Sequence, residues 1–263
     1  MPGIVGSRSA WLVRLRANPA AAIRFVCFPY AGGGAGIFHG WPELLPPEVE
    51  VWAIQPPGRG FRIREAPVPR LSSLVRLLAP ETLPILDRPF VFFGHSLGAL
   101  AAFETARALR RNYALQPECL LVSGRSAPQL KLKETAIHTL PDELLIEKLR
   151  NMNGTPASVL RNTELMRLLL PALRADLAAC ETYMYADEPP LACRITAYGG
   201  LGDVEIPLPA LEEWNSQTTA EFRVESFPGD HFFIHSAKSR LLNSVRQDLQ
   251  NCIAARTVSF AGQ

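Results

Sequence analysis

The stretch Gly94-His95-Ser96-Leu97-Gly98 sets a serine between two glycines, each two positions away from it. Serine is a weak nucleophile alone: it needs a base to take its proton, and the base needs a carboxylate to orient it. The pentad is a weak signal by itself, but its context strengthens it. An apolar run, Pro89 to Phe93, leads straight into Gly94, and a helical pattern from Ala99 to Arg111 follows, with Leu100, Phe103, Ala106 and Leu109 three or four residues apart. Strand, tight turn and helix make an elbow that presents a serine Oγ above a sheet at a helix N-terminus. Such a turn strains the serine backbone and tolerates only tiny neighbours two residues either side. The Leu97 amide then points at the oxyanion that attack on a carbonyl creates, with the helix dipole behind it.

Five histidines compete for the role of base. His39 lies early, His95 is turned away from its neighbour Ser96 by the backbone, and His138 falls in a long interval between strands. His231 follows the apolar run Phe222 to Phe227 through Pro228-Gly229-Asp230, a loop at the strand end where α/β sheets place their ligands. It is the expected base, with His235 packed or solvent-facing in the helix that follows. The chain order of α/β-hydrolases, serine then acid then histidine, confines the acid to the interval between 96 and 231. Asp203 fits, after the run Ile195 to Tyr198 and Gly199-Gly200-Leu201-Gly202. Glu205 is the substitute; Asp230 adjoins His231, and adjacent side chains diverge. A second oxyanion donor is expected from Ala31, in the loop Pro29-Tyr30-Ala31-Gly32-Gly33-Gly34, whose small residues let a main-chain amide come close. A phosphate-cradling reading of that loop lacks both the Lys-Ser/Thr ending and the G-x-G-x-x-G order.

These residues need a scaffold. Six short apolar runs, Ile23–Phe28, Val49–Ile54, Pro89–Phe93, Cys119–Val122, Ile195–Tyr198 and Phe222–Phe227, suit strands covered on both faces. Helical patterns between several of them imply a mostly parallel sheet with right-handed crossovers in one domain over 1–263, and the elbow at Ser96 makes the α/β-hydrolase fold the expected form of that sheet. The interval 128–190 is far longer than a crossover needs. Within it, one helical run opens at Pro141-Asp142-Glu143 and stops near Asn153-Gly154, and another covers Thr163 to Tyr185, interrupted by Pro171. A helical lid is expected there, the alternative being helices that only pack on the sheet. Met152, Leu165, Met166, Leu169 and Tyr183 are its candidate channel-lining residues.

With 263 residues, 48% of them hydrophobic, the chain can bury one sizeable core. A net charge of +2 offers no global field for nucleic acid or an anionic membrane. No apolar run approaches the roughly 18 residues of a membrane helix, and Arg14 and Arg16 stand where a signal peptide needs apolar residues, so a cytoplasmic protein is expected. The five cysteines, odd in number and without a CxxC pair, read as small core residues and not as disulfides or metal ligands. Neither a metal nor a bound cofactor is expected.

In order and spacing, Phe28-Pro29-Tyr30-Ala31-Gly32-Gly33, Gln55-Pro56-Pro57-Gly58-Arg59-Gly60 with Arg62 and Glu65, Gly94-His95-Ser96-Leu97-Gly98-Ala99, Gly199-x-x-x-Asp203 and Pro228-Gly229-Asp230-His231-Phe232-Phe233 resemble the type II thioesterases. These stand-alone hydrolases accompany polyketide synthases, nonribosomal peptide synthetases and animal fatty acid synthase. The likeness runs from about residue 20 to 250. It implies Ser96, Asp203 and His231 as a triad, Ala31 and Leu97 as oxyanion amides, and the insertion as a lid over an acyl channel. It also implies a cytoplasmic monomer that clears acyl groups from the phosphopantetheine arm of an acyl or peptidyl carrier protein, an editing role in antibiotic-type biosynthesis. A small-molecule carboxylesterase or lipase would use the same triad. Leu97 stands where the family often has Met, and Phe61 is unusual in its loop. Carrier proteins are usually acidic, which makes Arg59, Arg62, Arg64 and Arg70, or Lys131 and Lys133, candidate docking groups beside the plainer reading of a solvated surface.

Overall fold

The computed structural model describes residues 9–130 and 136–261. Among them, β1 (Leu12–Arg16), β2 (Ile23–Phe28), β3 (Val49–Ile54), β4 (Phe90–His95), β5 (Cys119–Ser123), β6 (Arg194–Gly200) and β7 (Phe222–Phe227) form a seven-stranded sheet in the order β1-β3-β2-β4-β5-β6-β7. Strands β2 to β7 are mutually parallel. They are the six apolar runs of the sequence, shifted by two residues at most. Strand β1 was not among them. It pairs antiparallel with β3 at the sheet edge, and its Leu-Val-Arg-Leu-Arg sequence carries the charges that a half-solvated edge accepts and a central strand does not.

The helices are α1 (Leu71–Thr82), α2 (Leu97–Tyr113), α3 (Asp142–Asn151), α4 (Ala157–Leu160), α5 (Thr163–Glu181), α6 (Leu208–Glu212), α7 (Phe233–Ser236) and α8 (Lys238–Ala261). Alternate strand residues point to opposite faces, so each strand serves two cores. Phe28, Phe92, Leu120 and Val122 pack with Leu74 and Leu78 of α1 and Leu100 and Phe103 of α2. Phe25, Val91, Phe93 and Leu121 pack on the other face with Phe38, Trp41 and the apolar stripe Leu241, Leu242, Val245 and Leu249 of α8. Burying a side chain of this kind is worth about 1.5–3 kcal/mol, which is why these strands read as continuous apolar runs.

Helices α3, α4 and α5 fill the interval between β5 and β6 and gather a separate core, Leu145, Leu149, Leu160, Met166, Leu170, Leu173 and Leu177. Helix α5 corrects the sequence reading. It ends at Glu181 instead of reaching Tyr185, and it passes through Pro171 without a break. Proline removes one helical hydrogen bond and crowds the carbonyl four residues back. Pro171 and Arg167 are both exposed, so water can serve the freed carbonyl. Lys131 and Lys133 lie outside the described residues.

Candidate active site

Strands β2 and β4 are neighbours whose crossovers leave in opposite directions across the sheet, and such a switch point opens a crevice at the carboxyl edge. Ser96 stands there, between the last residue of β4 and the first of α2, with φ 54° and ψ −117°. This conformation is costly for a residue with a Cβ, about 1–3 kcal/mol, and persists only where its surroundings enforce it. Those surroundings are tight. A Cβ on Gly94 would lie 2.1 Å from the Gly98 carbonyl oxygen, and one on Gly98 would lie 2.1 Å from that of Phe28. Both glycines are therefore required by close backbone approach. The Ser96 amide donates to the Ser123 carbonyl at 2.8 Å, fastening the turn to β5. Leu97 opens α2, where the first amides have no acceptor within the helix.

Asp203 and His231 arrive from the ends of β6 and β7. His231 Nδ1 lies 2.7 Å from Asp203 Oδ2, while Asp203 Oδ1 accepts from the amides of Glu205 at 3.0 Å and Ile206 at 3.1 Å. Both carboxylate oxygens are thus engaged, and the Asp203 side chain is 1% exposed. The contact selects the imidazole tautomer protonated at Nδ1 and leaves Nε2 to accept a proton. His231 and Ser96 line one pocket, together with Tyr30 and Ala31. Glu205, the substitute acid, also lines it but contributes its amide to Asp203.

The remaining histidines are placed elsewhere. His235 Nε2 pairs with the Tyr30 hydroxyl at 2.9 Å; burial, then the charge of Lys238, lowers its pKa. His138 pairs with Glu181. The His95 ring is fully buried, with Nδ1 2.9 Å from Ser123 Oγ. Burial, followed by the neighbouring charge of His231, holds His95 well below the usual histidine range. Asp230 does not turn toward the His231 ring: Oδ1 accepts from the Phe232 amide at 2.9 Å, and Oδ2 from Asn153 Nδ2 at 3.3 Å.

Arg59 and Arg62 are buried, which overturns their candidacy for docking. Arg62 donates to Glu65 and to the Gln55 carbonyl at 3.0 Å and stacks 4.3 Å above the Trp11 ring. Arg59 forms a two-pronged ion pair with Asp176 of α5 and donates to the Gly33 carbonyl at 3.1 Å. Asp176 Oδ2 also accepts from the Gly32 amide at 2.7 Å. One carboxylate therefore joins α5, the Pro-Gly-Arg loop and the loop that carries Ala31. The sequence reading passed over Asp176, although a single acid amid Ala172, Leu173, Ala175, Leu177, Ala178 and Ala179 was a visible anomaly. Arg64 and Arg70 are exposed, and so is Phe61.

The Ser96 pocket is a cavity of about 80 Å³, roofed by Leu149, Met152 and Gly154 and by Leu173 and Leu177 of α5. Of the five channel candidates, Met152 lines it. Met166 belongs to the α3–α5 core, and the Tyr183 hydroxyl donates to Glu104 at 2.7 Å. Tyr183 lines a larger groove of about 760 Å³ against α1 and α2, which shares no residue with the Ser96 pocket. The roof rests on the histidine loop: beyond the Asn153 contact, a Cβ on Gly154 would come within 2.1 Å of the Phe232 ring.

The thioesterase domain family model matches residues 24–249. The gramicidin S biosynthesis protein GrsT of Aneurinibacillus migulanus is 44% identical over 246 residues, covering 94% of this chain and 96% of its own. Two solved structures are similar along most of their length. RedJ, the thioesterase of the prodiginine pathway in Streptomyces coelicolor, has a TM-score of 0.82 at 40% identity and covers 88% of this chain and 90% of its own. BorB, the type II thioesterase of the borrelidin biosynthetic cluster, has a TM-score of 0.85 at 34% identity and covers 92% and 98%.

Proposed function

This chain belongs to the thioesterase domain family, and from that premise we propose that it hydrolyses acyl thioesters borne on the phosphopantetheine arm of carrier domains, in an editing role beside a polyketide or nonribosomal peptide synthase. The 2.7 Å pairing of His231 Nδ1 with the buried Asp203 supports a triad reading most strongly. His231 takes the Ser96 proton through Nε2 as Oγ attacks the thioester carbonyl. The oxyanion is met by the amides of Leu97, at the positive end of α2, and Ala31, on a loop braced by Asp176. Collapse expels the pantetheine thiol, which takes the proton from His231. Water, deprotonated by the same nitrogen, then releases the acid from Ser96. Asp203 fixes the tautomer throughout and stabilises the imidazolium.

Helices α3 to α5 act as a lid in this reading. A small-molecule site usually measures about 300–1,000 Å³, more than the roughly 80 Å³ beneath the roof, and lifting the roof would make room for a longer acyl group. The relatives support the substrate class, since the GrsT and BorB names place those proteins in gramicidin S and borrelidin biosynthesis. The test is a comparison of acyl-loaded carrier domains, acyl-pantetheines and nitrophenyl esters. Higher kcat/KM on the carrier-bound thioester than on the esters is expected. The reverse order would make the chain a small-molecule esterase using the same residues.

A further inference from the structure

Two cavities meet at His231. One is the Ser96 cavity, whose roof is apolar, with Leu149, Leu173 and Leu177. The other, of about 210 Å³, is lined by Asn151, Asn153, Gly202, Val204 and Asp230 and touches neither Ser96 nor Ala31. Met152, Glu205, His231 and Phe232 line both, so the imidazole stands at their border. The triad chemistry leaves the second cavity unused, although its wall includes the base.

The two walls differ in kind. Asn151 is the last residue of α3 and is exposed. Asn153 follows with a φ of +58°, a left-handed conformation that asparagine adopts more readily than most residues. Its Nδ2 donates to Asp230 Oδ2 at 3.3 Å, which leaves its side-chain carbonyl oxygen for a donor from outside. The loop between β6 and α6 adds Val204, an apolar side chain that is 94% exposed. The second cavity thus offers side-chain amides beside apolar atoms, where the Ser96 cavity offers leucines.

Acyl transfer divides a thioester at its C–S bond. The acyl half stays on Ser96, with its oxygen at the Ala31 and Leu97 amides, while the sulfur half leaves and needs a proton from His231 Nε2. The leaving half therefore lies on the histidine side of the bond. We propose that the second cavity is the leaving-group subsite: it takes the pantetheine arm, with arm amides against the side chains of Asn151 and Asn153 and arm methyl groups against Val204. The proposal rests on the thioesterase reading of the Ser96 site and assigns the two halves of its substrate to two cavities. An asparagine side chain carries both a donor and an acceptor, the complement of a secondary amide.

The experiment uses three butyryl thioesters that differ only in the thiol: pantetheine, N-acetylcysteamine, which keeps the first amide, and ethanethiol, which keeps none. In the wild type, kcat/KM is expected to fall at least tenfold from pantetheine to ethanethiol, mostly through KM. The double variant Asn151→Ala/Asn153→Gly, in which glycine suits the left-handed φ, should cut that ratio at least fivefold. The five native cysteines are buried, so Val204→Cys can be alkylated selectively with a bulky maleimide, and the adduct should show the same selective loss on pantetheine. An unchanged pantetheine-to-ethanethiol ratio in the folded double variant, whatever its absolute rates, would overturn the proposal and make the asparagines structural. A wild type indifferent to the thiol overturns it without any variant. Hydrolysis of none of the three by the wild type would instead remove the thioesterase reading, and this inference with it.

Discussion

Ser96, His231 and Asp203 come from three strand ends and lie far apart in the chain, yet the placement of each at such an end was legible in the sequence. Each follows an apolar run through glycine-rich turn chemistry, and that pattern reports a strand end at the carboxyl edge of a parallel sheet. What was not legible at this scale was the fate of polar residues inside the core, because burial depends on neighbours that sequence spacing does not reveal. His95 is the example: its position beside Ser96 was evident, but not its complete burial against Ser123. The depressed pKa has a consequence for stability. Above about pH 6.5 His95 is neutral folded or unfolded and contributes nothing to pH dependence. As pH falls below that value the unfolded chain gains a proton that the folded ring refuses, so stability declines until the folded pKa is reached. Thermal melts of wild type and His95→Gln at pH 7.5 and 5.5 should show the wild type losing more Tm on acidification than the variant; parallel losses would count against a neutral His95. At Asp203, the Asn substitution keeps the shape but loses the charge and the tautomer control. A drop in kcat of about 10⁴ is expected on an acyl-pantetheine substrate.

At the scale of elements, the Arg59–Asp176 pair joins α5 to the loop that carries Ala31. The Pro-Gly-Arg loop stood out in the sequence, but its arginines read as surface charge, since most arginines are. The structure turns them inward because Asp176, Glu65 and main-chain carbonyls of both loops satisfy their donors. Removing one member of a buried pair leaves an uncompensated charge and costs about 3–5 kcal/mol. Asp176→Ala should therefore lower the free energy of urea unfolding by roughly that amount. The double variant Arg59→Met/Asp176→Leu should recover most of the stability and still hydrolyse thioesters slowly, because the Gly32 amide has lost its acceptor. Recovery of full activity in the double variant would separate the pair from the oxyanion loop. Gly154 offers a second probe, of the contact between the roof and the histidine loop. Gly154→Val must displace the Phe232 ring, which packs edge-on against His231. Lower kcat with little change in Tm is the expected outcome, read by steady-state kinetics beside melting curves.

In the molecule as a whole, six of the seven strands and the long insertion were readable from apolar runs and from one interval too long for a crossover. The edge strand β1 and the unbroken α5 were not. An edge needs only half its residues buried, and an exposed proline costs a helix less than a buried one. The architecture separates a sheet packed on both faces from a helical roof with its own small core. Among the described residues no helix is long and apolar enough to cross a membrane. A roof of that kind should open below the free energy of global unfolding. Amides of α3 and α4 are expected to exchange with deuterium faster than those of β4 and β5, and to slow when Ser96 carries a long-chain alkylphosphonate; uniform exchange across roof and sheet would contradict a lid. The account as a whole depends on Ser96 forming the acyl-enzyme. The most direct measurement is single-turnover hydrolysis of an acyl-loaded carrier domain by wild type and Ser96→Ala, with the acyl adduct located by mass spectrometry of the quenched protein. The predicted result is an adduct on the Ser96 peptide of the wild type and a rate at least about 10⁴ lower in the variant; hydrolysis by Ser96→Ala near the wild-type rate, or an adduct on another residue, would contradict it.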